Sequence, residues 1–246
     1  MQDVISGKNP VKEALKAGRK IHKIFIGKFK GVDKAIDKII SLAKERDIPY
    51  SWVDNYTLQK YSKFSQGIVA LAEGKQYSDY REFLLDAKNK NEMPFIVILD
   101  SLEDPQNFGA IIRTCDAAGV HGIIIPKNRS VSVTPTIGKT SAGAIEYVKV
   151  ARVANLSSTI NDLKDQGLWV VGIDHLGSNK MSEVDLKMPI AIVVGGENKG
   201  ITPLVKSRCD YVVRIPMKGK ISSLNASVAA ALMLYEVYRQ RNPKKF

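Results

Sequence analysis

Residues 215–231, I-P-M-K-G-K-I-S-S-L-N-A-S-V-A-A-A, concentrate hydroxyls and an amide where a strand gives way to a helix. The pattern predicts a strand ending at Ile215–Pro216, then a loop over 217–221 with Lys218, Gly219 and Lys220. A helix follows, its first turn holding Ser222, Ser223 and Asn225. Helix N-termini leave backbone N–H groups without partners, and one capping side chain normally suffices. Ser222, Ser223, Asn225 and Ser227 exceed that need, so the surplus points to a ligand at the helix start. One of Ser222 and Ser223 is expected to cap, leaving the other and Asn225 to face the ligand.

Two further segments have chemical potential. In V-G-G-E-N-K-G-I, residues 194–201, the pair Gly195-Gly196 lets a backbone approach a ligand closely, and Glu197 follows on the loop. In D-S-L-E-D-P-Q-N-F-G-A-I-I-R-T-C-D-A-A-G, residues 100–119, Pro105 and Asn107 mark a turn into a helix that Asn107 is placed to cap. Phe108, Ile111, Ile112, Cys115 and Ala118 form the apolar face of that helix, while Arg113 and Asp116 point elsewhere. Arg113 lies close enough to the strand end to serve a site there.

The elements that would position these residues alternate. Short apolar strands are expected at 95–99, 122–125, 147–150, 168–173, 190–194 and 211–215, with helices between them. Runs such as I-A-I-V-V suit a parallel sheet covered on both faces. Ligands of such sheets bind beyond the carboxyl ends of the strands, where all three segments fall. The helix after Asn225 carries Leu224, Val228, Ala231, Leu232 and Tyr235 on one face, as a core or dimer helix would. Residues 1–72 read as a separate small α/β unit, with helices at 9–17 and 32–46 and strands at 21–26, 49–53 and 67–71. Residues 73–91 form a polar linker with room for a short helix, and 92–246 the larger domain.

The chain has 246 residues and a formal charge of +12. Residues 1–75 hold 15 Lys+Arg against 8 Asp+Glu, so the charge is densest there and points to an acidic polymer, RNA or DNA, as partner. No apolar run approaches a membrane span. Cys115 and Cys209 make neither a disulfide framework nor a metal site and suit a reducing cytoplasm. His22, His121 and His175 are scattered without metal spacing and are expected to be structural or on the surface. The P-loop spacing, any G-x-G fingerprint and a nucleophile elbow are all missing. The small-residue run 140–144 either passes near a ligand or packs tightly.

Taken together, D-P-Q-N-F-G-A-I-I-R, V-G-G-E-N-K-G and I-P-M-K-G-K-I-S-S-L-N-A-S-V-A resemble the three signature motifs of the SpoU/TrmH family of SPOUT RNA methyltransferases, over about residues 94–241. Residues 1–72, with G-K-N-P-V-K-E-A-L and Q-G-I-V-A, resemble the L30e-like RNA-binding domain of that family. The two-domain layout is similar to that of 23S rRNA guanosine-2′-O-methyltransferases. The resemblance implies a C-terminal SPOUT domain with a parallel sheet and a deep trefoil knot, a homodimer whose site combines two subunits, and S-adenosyl-L-methionine as methyl donor. It implies catalysis by Arg113 with Asn107, Glu197, Ser223 and Asn225, and cofactor contacts at Gly195, Ile215 and Leu224 with Gly196 and Met217 close by. No metal and no membrane are implied, and the expected role is rRNA processing in the cytoplasm. A tRNA or another rRNA ribose is the alternative substrate. A non-catalytic ribosome-assembly factor on the same scaffold is the alternative of another class.

Overall fold

A computed structural model describes residues 2–28, 33–63, 65–128, 130–197, 199–221 and 223–245. Val32, Asn198 and Ser222, to which the sequence assigned a helix start, a loop position and a possible cap, lie outside the described residues. The chain begins β1 (Gln2–Ser6), α1 (Lys8–Lys16), β2 (Ile21–Gly27), α2 (Lys34–Glu45), β3 (Tyr50–Val53), α3 (Asn55–Tyr61) and β4 (Ile68–Glu73). It continues α4 (Arg81–Asn89), β5 (Phe95–Asp100), α5 (Pro105–Ala118), β6 (Gly122–Pro126), α6 (Pro135–Thr140) and β7 (Val150–Val153). Then come α7 (Leu156–Asp165), β8 (Trp169–Ile173), β9 (Asn179–Lys180), β10 (Ile190–Gly195), α8 (Pro203–Lys206), β11 (Tyr211–Arg214) and α9 (Ala226–Arg241).

The chain forms two compact units. The first comprises Met1–Gln76 with Ser132–Tyr147, and its sheet has the order β1-β4-β2-β3. Asp33 caps α2 by accepting from the amides of Ala35 and Ile36, and the spacing of Ile36, Ile39 and Ala43 turns one face of that helix onto Ile24, Ile26 and Ile68. The run 140–144 resolves as packing: a Cβ on Gly143 would lie 2.8 Å from the Glu13 Cβ of α1. Arg19 pairs with Asp3 and, at 2.8 Å, with Glu146, so the segment after α6 is also held by charge.

The second unit holds Tyr77–Val131 and Val148–Phe246. Its sheet runs β7-β6-β5-β10-β8-β11-β9, and every pairing among the described residues is parallel. β5 is buried along its whole length and β10 as far as Val194, as both-sided apolar runs demand. Phe83 of α4 is fully buried over Gly122, where a Cβ would overlap its ring.

Two expectations shift. The strand expected at 147–150 lies at Val150–Val153, because Tyr147 ends a 3-10 turn in the other unit and the apolar pair Tyr147–Val148 mimicked a strand start. The last helix starts at Ala226, so Ser223 and Asn225 precede it instead of lying in its first turn. The short amide of Asn225 accepts from the N–H groups of Ser227 and Val228, and that cap sets the start.

The end of α9 is latched by a half-buried cation. Arg241 donates to the carbonyls of Met93 (2.9 Å), Pro94 (3.1 Å) and Met188 (2.6 Å), and its guanidinium lies 5.1 Å from the Phe95 ring centroid. Burial pulls its pKa down to about 10, still well above neutrality. Arg241→Ala strands those carbonyls and is expected to cost about 3 kcal/mol. A chemical denaturation midpoint unchanged from wild type would contradict this role.

Candidate active site

The site is built at the carboxyl ends of β5, β8, β10 and β11, around a cavity of about 360 Å³. That volume is at the scale of a small-molecule cofactor. β10 runs directly into Gly195-Gly196, and the turn there has no room for side chains. A Cβ on Gly195 would fall 2.1 Å from the carbonyl carbon of Gly200, and one on Gly196 2.1 Å from the carbonyl oxygen of Ser101. The Gly196 amide donates to Asp100 O at 2.8 Å and the Gly200 amide to Gly196 O at 3.0 Å, closing the loop on itself and onto the end of β5. Buried Asp100 accepts from both the amide and the hydroxyl of Thr202, each at 2.7 Å, which holds the far side of the loop. Ser101 adopts φ +61°, a left-handed conformation imposed beside the site.

Asn107 does not cap α5. Asp104 does, accepting from the amides of Gln106 and Asn107 at 3.1 Å each, because Pro105 lacks an N–H and fits the first helical position. The buried Asn107 side chain is thereby released, and its Nδ2 donates to Glu197 Oε1. Motif residues 90 positions apart are thus in direct contact. The remaining wall comes from β11 and the loop after it: Ile215, Met217, Ser223 and Leu224 line the same cavity as Gly195, Gly196 and Glu197. Asn225 stands beside them, but its Oδ1 is occupied by the N–H of Ser227 at 2.9 Å and the Ser227 hydroxyl at 2.6 Å. Among the described residues its amide nitrogen has no partner and is left to meet a ligand. Arg113 is exposed on α5, does not line the cavity, and has no hydrogen-bond or ion-pair partner among the described residues.

The end of β8 contributes a wall that motif reading passed over. Ile173, Asp174 and His175 line the cavity, as does Lys199. Burial alone would raise the pKa of Asp174, but the Lys206 ammonium at 2.8 Å and the Leu176 amide hold it below the usual carboxylate range. His175 is exposed at the cavity, whereas His121 is a buried strut that accepts from the Phe95 amide through Nδ1. Burial lowers the pKa of His121. The strand-end rule alone could have found Asp174 and His175, but I-D-H-L-G lacks the paired glycines that drew attention to β10.

Apolar walls, a glycine floor and a hydrogen-bonded carboxylate suit a small polar cofactor. Against known proteins, the SpoU rRNA Methylase family matches residues 94–235, and a family described as RNA 2′-O ribose methyltransferase substrate binding matches residues 4–78. A putative TrmH family tRNA/rRNA methyltransferase of Bacillus subtilis, YacO, is 46% identical over 98% of this chain and 97% of its own. Among solved structures, the SpoU methyltransferase AviRb of Streptomyces viridochromogenes, in complex with AdoMet, superposes with TM-score 0.83 at 25% identity, covering 98% of this chain and 91% of that one. An AdoMet-bound rRNA methyltransferase of Sinorhizobium meliloti gives 0.78 at 26% identity over 97% and 87% of the two chains. With two strand-end motifs lining one cavity, the third joined to it through Asn107 and Glu197, and nearly its whole length shared with these relatives, the chain belongs to the SpoU rRNA methylase family.

Proposed function

We propose that this protein is an S-adenosylmethionine-dependent RNA 2′-O-ribose methyltransferase acting on a guanosine of 23S rRNA. The observation that carries the reading is the Asn107–Glu197 hydrogen bond at the lip of the glycine-floored cavity. The cavity fits the cofactor: Ile215 and Leu224 offer apolar contact, and Gly195 and Gly196 line it without side chains that would fill it. When bound, S-adenosylmethionine supplies an electrophilic methyl group.

The residues of the chain must then hold and activate a ribose hydroxyl. A guanidinium presents a planar fork of cationic donors, so Arg113 serves as a phosphate clamp and stabilises developing alkoxide charge. Glu197, a phosphate oxygen or water takes the proton, with Asn107 holding the Glu197 carboxylate in place. Ser223 and the free amide nitrogen of Asn225 orient the hydroxyl. Alignment with the methyl group supplies much of the rate.

The exposed face of α9 supports a homodimer. Val228, Leu232 and Tyr235 are exposed on it, while Ala230, Met233, Leu234 and Val237 fill the core side, so the helix is apolar on both faces. A helix apolar all round needs cover on both sides. Arg113, absent from the cavity wall of its own chain, would reach the site of the partner. Residues 1–72 are read as the RNA-binding domain, joined through 73–91 to a knotted methyltransferase domain, 92–246, in a cytoplasmic rRNA-processing enzyme.

The test is methyl transfer from tritiated S-adenosylmethionine to unmodified 23S rRNA, 16S rRNA and tRNA transcripts, with the modified ribose mapped by resistance to alkaline cleavage. Label at a single 23S guanosine is expected. Label confined to tRNA would move the substrate, and cofactor binding without label on any RNA would overturn the activity.

A further inference from the structure

The first unit carries an aromatic and basic strip outside its core. On α3, Tyr56 is 70% exposed, and the Lys60 ammonium lies 4.8 Å from its ring centroid. One residue on, Tyr61 stacks on Phe25 of β2 with centroids 5.1 Å apart and planes at 18°. The Lys23 ammonium lies 5.2 Å from the Phe25 ring. One lysine–aromatic pair thus lies on the helix and one on the strand, and Tyr61 of the same helix stacks on the strand's aromatic ring. α3 contributes only Leu58 to the buried core, so packing does not account for Tyr56. Asp54, which also faces Lys28 and Lys60, is occupied in capping α3 through the Thr57 amide, and that bond holds its pKa below the usual carboxylate range.

We infer that this strip is a stacking platform for unpaired bases of the RNA substrate, with Tyr56 taking a base on its open face and Lys60 and Lys23 meeting the flanking phosphates. The inference rests on the RNA methyltransferase reading and deepens it by naming where single-stranded RNA is gripped away from the reacting ribose. Aromatic faces bind any base by stacking, and lysines supply salt-sensitive affinity for the backbone. The charge matches: residues 1–75 carry 15 Lys+Arg against 8 Asp+Glu. Double-stranded RNA hides its base faces and would gain only the phosphate contacts.

The experiment uses the full-length protein and two fluorescent probes, a short oligoadenylate and a blunt RNA duplex of equal length. The wild type is expected to prefer the single strand. Combining Tyr56→Ala with Lys60→Ala should weaken oligoadenylate binding about tenfold or more, from the loss of one stacked base and one phosphate contact. Tyr56→Phe should keep wild-type affinity, because the ring remains. With ribosomal RNA as substrate, the double variant should raise KM and leave kcat and S-adenosylmethionine affinity unchanged. Unchanged oligoadenylate binding and KM in the double variant overturn the inference, as does a wild type that methylates RNA yet prefers the duplex. Methylation absent from all RNAs, with Tyr56-dependent oligoadenylate binding intact, overturns the enzymatic reading and leaves the platform standing.

Discussion

Arg113→Ala is expected to reduce methyl transfer by roughly a thousandfold or more while leaving S-adenosylmethionine affinity within about twofold of wild type. The separation follows from geometry. Arg113 lies outside the cavity wall, so its removal takes nothing from the cofactor contacts. It is an exposed cation with no partner among the described residues, so fold stability should barely change. A lysine retains the charge but loses the planar fork suited to a phosphate, so Arg113→Lys should recover only a small part of the rate. Calorimetry with S-adenosylmethionine and tritium transfer to RNA measure the two quantities independently. Turnover near wild type in Arg113→Ala would falsify the assignment. Mixing Arg113→Ala subunits with Glu197→Ala subunits adds a second check. If Arg113 serves the partner's site, mixed dimers contain one intact site and regain activity, whereas an arginine acting within its own chain leaves each site with one defect and the mixture inactive.

Gly196→Ala should abolish measurable cofactor binding and destabilise the larger unit by about 2–4 kcal/mol, in the range of severe overpacking. The added methyl would lie 2.1 Å from Ser101 O and 2.8 Å from Ser101 C, both backbone atoms, so no side chain can move aside. Relief requires opening the loop from β5, at the expense of the Gly196 to Asp100 hydrogen bond that closes it. Two other glycines provide controls. Gly200 has open space but φ +61°, so Gly200→Ala should cost only about 1–2 kcal/mol of backbone strain. Gly219 has open space and no such φ, so Gly219→Ala should behave as wild type. Thermal unfolding and equilibrium binding of S-adenosylmethionine rank the three. Wild-type binding by Gly196→Ala would show that the loop yields, and the cofactor site would then have to be sought elsewhere.

Much of the site was legible because its residue types are demanded locally. Paired glycines after a buried strand, a proline one position inside a helix and a surplus of small polar groups before another helix each have a backbone reason that survives without tertiary context. Capping was harder to read. Asn107 and Ser223 are acceptable caps by type, but Asp104 and Asn225 do the capping. Several short polar residues in a row compete for the same orphan amides, and the winner depends on where the chain enters the helix. The strand misplaced at 147–150 has a similar origin, since an apolar pair is equally at home in a 3-10 turn packed in another unit.

From the sequence alone follow the alternation of strands and helices, the basic first third and the three strand-end motifs, because periodicity, charge and glycine placement act over a few residues. Tertiary structure alone decided that β10 lies between β5 and β8, which brings Glu197 to Asn107 and adds Asp174 and His175 to the same cavity. It also decided that the apolar stripe of α9 at Val228, Leu232 and Tyr235 faces outward and not into the core. Strand order and the choice between two apolar helix faces depend on contacts between residues far apart in the chain, and nothing local in the sequence encodes which distant partner is met.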